Sequence, residues 1–187
     1  MTARELPEHP ILIPEHAECV FRGELFEVYQ WQQEQFDGSF ATFEMLRRPD
    51  TVITLAIDDD GLIVVSDEEQ PGGVVRTNHL PAGRIDTTDN TTASAAQREL
   101  KEETGYEMHD WALVDIIQPE SKIEWFVYFY VSRNVNNVSE PTLDAGEKIS
   151  VKKVDYETAY KANTSSSKFS VLGPYSALED VYEKVGW

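Results

Sequence analysis

The chain has 187 residues, a formal net charge of −18 and hydrophobic side chains at 41% of its positions. These values suit one folded domain with a small appended element, and they argue against disorder of the whole chain. A surface this acidic repels phosphate backbones, which excludes a nucleic-acid polymer as the expected partner. A small anionic ligand is still compatible with this charge if a metal ion neutralises it locally.

The single cysteine, Cys19, cannot form an internal disulfide, which fits a reducing compartment. The first residues lack the cationic start and the long apolar run of a signal peptide, and no apolar stretch is long enough to span a membrane. We therefore expect a cytoplasmic protein without a membrane partner.

The N-terminal part is predicted to be an irregular arm followed by antiparallel strands. Residues 1–18 contain three prolines and show little periodicity. Residues 19–31 and 40–46 are rich in aromatic residues and valine, which predicts a β-hairpin or a small antiparallel sheet. We accordingly divide the chain into an N-terminal region, residues 1–46, and a main domain, residues 47–187.

The main domain alternates apolar strands with helices. Apolar runs at 51–57 and 62–66 flank an acidic turn and predict a second hairpin whose two faces are both covered. Residues 67–79 are polar and contain a Pro-Gly-Gly sequence, which predicts a loop. The other predicted elements are strands at 111–117, 124–131 and 149–155, a loop at 134–138, a flexible joint at 165–167, and helices at 91–104, 155–162 and 174–184. This order predicts an α/β or α+β layered domain.

The helix at 91–104 carries three carboxylates on one face. At about 100° per residue, Glu99, Glu102 and Glu103 fall within a sector of about 100°. A separate stripe can pack on a sheet, and it consists of Ala93, Ala96, Leu100 and Thr104. Thr91 or Thr92 is the expected N-cap, and Gly105 is expected to end the helix.

Three clustered carboxylates raise one another's pKa unless a cation lies among them. Their hard oxygens suit Mg²⁺ or Mn²⁺, and Arg98 can orient one of them through a charge-assisted pair. Gly83, in the loop before the helix, permits a close approach that a side chain would block. The alternative interpretation is that the glutamates only form a solvated helix face.

The segment from Gly83 to Tyr106 resembles the Nudix box, whose pattern is G-x5-E-x7-R-E-U-x-E-E-x-G-U. Residues 98–106, RELKEETGY, match the second half at every fixed position. In the first half, Asp89 stands where the family usually has Glu, and one extra residue separates it from Arg98. The string LPAGRID at 80–86 is similar to that of ADP-ribose and nucleotide-sugar pyrophosphatases, and the similarity extends over about residues 19–162.

This resemblance implies a Nudix-type α/β/α sandwich with a mixed sheet, preceded by a small N-terminal antiparallel β region. It also implies hydrolysis of a diphosphate by water with Mg²⁺, or Mn²⁺, held by Glu99, Glu102, Glu103 and the carbonyl of Ala82. Arg98 and Glu103 would then belong to the catalytic set. The general base would be Glu147 on a later loop, unless Glu147 is only a surface residue; Glu140, Asp144 and Glu103 are next in line.

The expected substrate is ADP-ribose or a nucleotide sugar, cleaved to a nucleoside monophosphate and a sugar phosphate. Arg48 and Arg76 are candidates to hold phosphate, or else form ion pairs. Trp31 either stacks on the nucleobase or belongs to the core, and Gly83 is expected beside the substrate. The alternatives are hydrolysis of a dinucleotide or a nucleoside triphosphate, and a non-catalytic binding module. The resemblance and the strands of the N-terminal region also favour a homodimer in which residues 1–46 help to build the site.

Overall fold

The computed structural model of the protein describes residues 4–143, 146, 148–165 and 169–187. Within these ranges the strands are β1 (Glu18–Arg22), β2 (Glu27–Glu34), β3 (Phe40–Arg47), β4 (Thr51–Ile57), β5 (Ile63–Gln70), β6 (Val74–His79), β7 (Ala82–Arg84), β8 (Tyr106–Ile117), β9 (Ile123–Glu124), β10 (Val127–Val138) and β11 (Lys148–Val154). The helices are α1 (Thr92–Thr104), α2 (Tyr156–Thr164) and α3 (Leu178–Val185). None of the helices in the described ranges is long and apolar enough to cross a membrane.

The main sheet is mixed and lies between two helical layers. Its order is β11-β5-β4-β10-β8, with β6 paired to β5 and β7 paired to β4. Strand β10 runs parallel to β4, whereas the other neighbouring strands are antiparallel. Helix α1 packs on one face, and α2 and α3 pack on the other. The predicted α/β/α sandwich with a mixed sheet is confirmed.

Strand β4 shows why both faces of the sheet are buried. Successive side chains of a strand point to opposite faces, so Val52 and Ala56 face α1, whereas Leu55 and Ile57 face the other two helices. All four are essentially buried. The near-continuous apolar run at 51–57 is therefore the signature of a central strand, as expected.

Helix α1 begins and ends where its sequence predicts. The Thr91 side chain accepts a hydrogen bond from the backbone N–H of Ser94, and the Ser94 hydroxyl accepts one from Thr91. Gly105 ends the helix in the left-handed region with φ 78°. Ala95, Ala96 and Leu100 are fully buried, so the helix docks by its small apolar face.

The N-terminal strands form a separate four-stranded sheet in the order β1-β2-β3-β9. The antiparallel part agrees with the predicted small sheet, but residues 19–31 contribute two strands and not one. Gly23 turns the chain, since its N–H donates to the carbonyl of Phe26. The fourth strand, β9, is contributed by the main domain and pairs in parallel with the end of β3.

The loops predicted at 67–79 and 134–138 are wrong. Both segments form exposed strands at the edges of the main sheet. Residues 67–79 form the end of β5, a Pro-Gly-Gly turn and β6, and much of β6 is exposed. Residues 134–138 continue β10 against β8, where Asn137 pairs with Glu107 beside a register shift. Edge strands keep their backbone hydrogen bonds without apolar side chains, so composition did not reveal them.

The predicted terminal helix starts later than expected. Helix α3 begins at Leu178, four residues after Pro174. The intervening residues are held by other contacts, because Tyr175 is buried and its backbone N–H donates to Leu172. Residues 166 and 167 of the predicted joint lie outside the described residues. The predicted general base, Glu147, also lies outside them.

Candidate active site

A cavity of about 960 Å³ lies where β4, β7 and α1 meet the ends of β6 and α2. It is bordered by the predicted site residues Arg48, Arg76, Ala82, Gly83, Arg98, Glu99, Glu102 and Glu103. Residues separated by more than fifty positions thus share one concave wall. Such a polar cavity at the end of a central strand is the default candidate for a binding site.

The three carboxylates of α1 differ in how far they are buried. Glu102 is 44% exposed at its side chain and Glu99 only 15%. Glu103 is buried, and its Oε2 accepts a hydrogen bond of 3.1 Å from the backbone N–H of Ala82. The face is therefore not a solvated one, because two of its three carboxylates are held against β7.

Gly83 leaves the space that the Glu99 carboxylate occupies. A Cβ atom built on Gly83 would lie 1.9 Å from the Cδ of Glu99 and 2.1–2.2 Å from its two oxygens. The close approach predicted for this glycine is real, and the group that approaches is a carboxylate of the same chain. The Glu99 carboxylate can occupy this place against β7 only because position 83 has no side chain.

Arg98 joins the carboxylates into one network. Its Nη1 donates to Glu99 at 2.8 Å and to Glu102 at 2.9 Å. Its Nε and Nη2 donate to the two oxygens of Asp89 at 3.1 and 2.9 Å, and Nη2 also donates to the carbonyl of Arg84. The hydrogen bond to Asp89 and the charges of the glutamates raise the pKa of Arg98, so it remains a cation.

This network explains how the chain tolerates its altered first half of the Nudix box. Asp89 is shorter than the usual glutamate and is followed by one extra residue. It nevertheless forms a two-point pair with Arg98, and that pair lowers the pKa of its carboxyl. Asp89 thus reaches Arg98 with the extra residue present in the loop.

Burial raises the pKa of Glu99 to about 6, and the nearby carboxylates of Glu102 and Asp86 add to this effect. The hydrogen bond and the charge of Arg98 act in the opposite direction. A carboxylate that is buried among other carboxylates is destabilised in its charged form, and an added cation relieves that destabilisation.

Another part of the cavity lining is cationic and aromatic. The Arg48 guanidinium lies 4.5 Å from the ring centre of Trp125 and 5.9 Å from that of Phe26. Burial and the neighbouring charge of Arg84 lower the pKa of Arg48. Its Nε is buried without a hydrogen-bond partner, and it forms no salt bridge with any described residue. The negative charge of Asp50 acts on Arg48 from a distance without forming a salt bridge. In a chain of net charge −18, a half-buried arginine without a direct salt bridge to a described residue is a strong candidate to bind an anion.

Arg76 also borders the cavity but is already paired, since its Nη1 lies 2.7 Å from the Oε2 of the buried Glu68. Two cavity residues were missed by the sequence reasoning, Arg84 and Trp125. Arg84 follows Gly83 in the LPAGRID string, and that position gave the only signal for it. Trp125 lies between β9 and β10, in an aromatic-rich segment that was predicted as a strand, where it could not be told from a core residue.

Two predicted site residues do not meet the others in the described structure. Trp31 lies on β2 against Phe43, at a ring distance of 5.9 Å, and does not border this chain's own cavity. Glu147 lies outside the described residues, and so do the neighbouring positions 144 and 145. The role of each stays a prediction.

The donor set fits a hard divalent cation. Among the residues that the structure describes, no group of three acidic, histidine or cysteine side chains is already arranged around one point. Arg98 and the Ala82 N–H hold the carboxylate oxygens, as described above. All the available donors are oxygens, one of them on a buried glutamate of raised pKa, which is the chemistry that Mg²⁺ or Mn²⁺ requires.

Comparison with known proteins now decides the family. The sequence pattern of the NUDIX domain matches residues 47–172, about two thirds of the chain. The chain is a member of the Nudix family. The Nudix box predicted from residues 83–106 is thereby confirmed, and its carboxylate face is the one that borders the cavity. The chain is a Nudix hydrolase, and enzymes of this family generally use divalent metal ions.

Relatives of this Nudix hydrolase include two ADP-ribose pyrophosphatases. That of Bacillus subtilis is 24% identical over 161 residues, which is 85% of this chain and 86% of the relative. That of Mycobacterium tuberculosis is 27% identical over 126 residues, covering 67% of this chain and 61% of the relative. A methanol dehydrogenase activator of Bacillus methanolicus is 26% identical over 121 residues, which is 64% of each protein.

A crystal structure of an ADP compounds hydrolase shares the fold. It superposes with a TM-score of 0.61 at 23% sequence identity, covering 81% of this chain and 80% of the other. The fold that covers most of this chain is thus one that a solved hydrolase also adopts.

Proposed function

We propose that this Nudix hydrolase is a Mg²⁺-dependent pyrophosphohydrolase of ADP-ribose or a closely related nucleotide sugar, acting in the cytoplasm. The observation that carries the proposal is the cavity itself. Its lining combines Glu99, Glu102 and Glu103 with Arg48, which forms no salt bridge with any described residue. A diphosphate placed between them has a cation-binding face on one side and a guanidinium on the other.

Glu99, Glu102 and Glu103 would hold the metal ions, together with the Ala82 carbonyl. When bound, Mg²⁺ or Mn²⁺ supplies Lewis-acid activation of water and neutralises phosphate charge. Arg98 keeps Glu99 and Glu102 in place through its hydrogen bonds. The Ala82 N–H orients the Glu103 carboxylate, so all three of these glutamates are preorganised by the fold.

Arg48 and Arg84 would bind the diphosphate oxygens, because guanidinium groups match phosphate geometry. Trp125 presents a planar apolar surface beside Arg48 and is itself fixed by a hydrogen bond of 2.9 Å from its Nε1 to the Thr51 hydroxyl. Such a rigid aromatic surface suits the apolar face of a base or a sugar. Arg76 can contribute once the substrate competes for its pair with Glu68.

The preference for ADP-ribose rests on the relatives and on the extent of the match. The similarity to the ADP-ribose pyrophosphatase of B. subtilis covers more of this chain than residues 47–187 contain, so it includes part of the N-terminal region. That region would have no counterpart in a minimal triphosphate hydrolase of the family.

The test is an assay of the purified protein with Mg²⁺ against ADP-ribose, nucleotide sugars, dinucleotides and nucleoside triphosphates, with identification of the products. We expect ADP-ribose or a nucleotide sugar to give the highest kcat/KM and to yield a nucleoside monophosphate and a sugar phosphate. A higher kcat/KM for a dinucleotide or a triphosphate would contradict the proposed substrate. Loss of turnover with EDTA and its recovery with Mg²⁺ would test the metal, and Mn²⁺ is the comparison ion.

The general base is proposed to be Glu147. The Glu147→Gln variant should lower kcat by about 10²–10⁴-fold with little change in KM, because a base acts on the transition state. The matched variant Glu140→Gln changes the same functional group seven residues earlier and should keep normal turnover. Normal kcat in Glu147→Gln together with a low kcat in Glu140→Gln would move the role to Glu140.

A homodimer is proposed because the N-terminal sheet exposes apolar side chains. Phe21 is 58% exposed and Phe40 is 65% exposed. Light scattering should give about twice the 21.3 kDa mass of the chain. Phe40→Lys should shift the mass to that of a monomer, whereas Val138→Lys, an equally exposed position at the end of β10, should not. A wild-type monomer at micromolar concentration with full activity would rule out the dimer and the role of Trp31 in a partner's site.

A further inference from the structure

The N-terminal arm, residues 4–13, crosses behind the segments that carry Arg48 and Trp125. The Arg4 guanidinium packs 4.4 Å from the ring centre of Phe126, which belongs to the core on the α1 face of the sheet. The neighbouring residue Trp125 packs instead with the core on the opposite face. Arg4 and the aromatic wall of the cavity are therefore on opposite sides of the same backbone.

Arg4 connects two carboxylates that belong to different segments. Its Nε and Nη2 donate to the two oxygens of Asp50 at 2.8 and 2.6 Å, and its Nη1 donates to Glu124 at 3.0 Å. Glu124 also accepts hydrogen bonds from the backbone N–H of Ile13 at 2.7 Å and from Arg47. One guanidinium thus ties residues 47–51 to residues 124–126.

Asp50 is the joint between these segments. Its Oδ1 accepts a second hydrogen bond of 2.8 Å from the N–H of Phe126, and its backbone carbonyl accepts one from Ile85, next to β7. The Asp50 side chain is only 11% exposed and that of Glu124 only 5%. Without Arg4, the nearly buried carboxylates of Asp50 and Glu124 would lose the cation that they share. The hydrogen bonds around Asp50 would then have to break or rearrange.

We infer that Arg4 is a positioning residue for substrate binding: from behind the sheet it holds Arg48 and Trp125 in place without touching the substrate. The inference rests on the proposed function only in assigning those two residues to the substrate. It assigns the N-terminal arm a role in the cavity of its own chain, separate from any role in a dimer.

The first test is the kinetics of Arg4→Gln, which removes the charge and the fork of donors. KM for the diphosphate substrate should rise about tenfold while kcat stays within about twofold, because the carboxylates of α1 are held by Arg98 and Ala82. Arg4→Lys keeps the charge but lacks the planar fork, and it should give an intermediate KM. Lys184→Ala, which removes one exposed positive charge in the last turn of α3, is the charge control and should leave KM unchanged. A lower kcat at unchanged KM in Arg4→Gln would overturn the inference.

A double-mutant cycle tests whether Arg4 acts through Arg48. If it does, Arg4→Gln should have little further effect on KM in an Arg48→Ala background, so that the combined loss is well below the product of the single losses. If the combined loss equals the product of the two single losses, Arg4 acts independently of Arg48 and the inference is overturned.

Amide hydrogen exchange tests the positioning without any substrate. The N–H groups of Thr51 and Phe126 should exchange about tenfold faster or more in Arg4→Gln than in the wild type, since both are bonded at the joint. The amide of Leu100, in the middle of α1, serves as the internal reference. Unchanged exchange at Phe126 overturns the inference whatever the enzyme cleaves, and faster exchange supports it even if ADP-ribose is not the substrate.

Discussion

Gly83→Ala should abolish most of the hydrolase activity while leaving the protein folded. The added Cβ would lie 1.9 Å from the Glu99 Cδ, so the carboxylate must leave its present place. Gly83 does not have a positive φ, and the clashing atoms are the end of a flexible side chain, so the cost in folding free energy should be small. Losing the placement of one metal ligand should lower kcat/KM by about 10²–10³-fold, since catalytic metal contacts contribute several kcal/mol.

The matched control is Gly173→Ala. A Cβ at position 173 meets nothing closer than 3.4 Å, and this glycine also lacks a positive φ. Both variants should melt near the wild-type temperature, and only Gly83→Ala should lose activity. Near-normal kcat/KM in Gly83→Ala would show that the position of Glu99 beside β7 is not the one used in catalysis.

Glu103→Gln is expected to have a similarly large effect for a different reason. The amide keeps the size of the side chain and an oxygen that can accept the hydrogen bond from Ala82, so the packing of α1 on β7 should survive. The negative charge is lost, and with it a ligand for the metal ion. We expect kcat to fall by about 10³-fold at saturating Mg²⁺, with unchanged circular dichroism.

Glu107→Gln is the control for this substitution. Glu107 lies four residues further along, pairs with Lys101 at 3.0 Å and does not border the cavity. Its loss should change the melting temperature slightly and leave turnover intact, because exposed pairs contribute little. If Glu103→Gln keeps near-normal turnover at saturating Mg²⁺, Glu103 is not a metal ligand and the carboxylate acts only as a partner of Ala82.

Helix α1 was predictable because its determinants are local. The spacing of Glu99, Glu102 and Glu103, the Thr91 cap and the Gly105 terminus are all set within fifteen residues. A helix of known period places those side chains on one face whatever surrounds it. The family assignment rested on the same short segment, and so did the divalent metal that the family generally uses.

The edge strands were not predictable in the same way. Strand β6 and the end of β10 are held by backbone pairing with a neighbour, and their side chains are largely exposed. The pattern of apolar and polar side chains indicates which residues are buried, and an edge strand buries few of its side chains. The Pro-Gly-Gly turn before β6 was predicted correctly, but β6 itself was not predicted.

The sequence by itself determined the carboxylate face of α1, since that face depends on residues within two helical turns. Only the tertiary structure decided what faces it. Arg48 and Trp125 are 77 positions apart, and they meet because β3 and β9 pair in parallel and because Asp50 bonds to Phe126. The contacts of Arg4 with Asp50 and Glu124, which hold the N-terminal arm, were decided in the same way. A long-range contact depends on how several elements pack together, and no local pattern of residues records that packing.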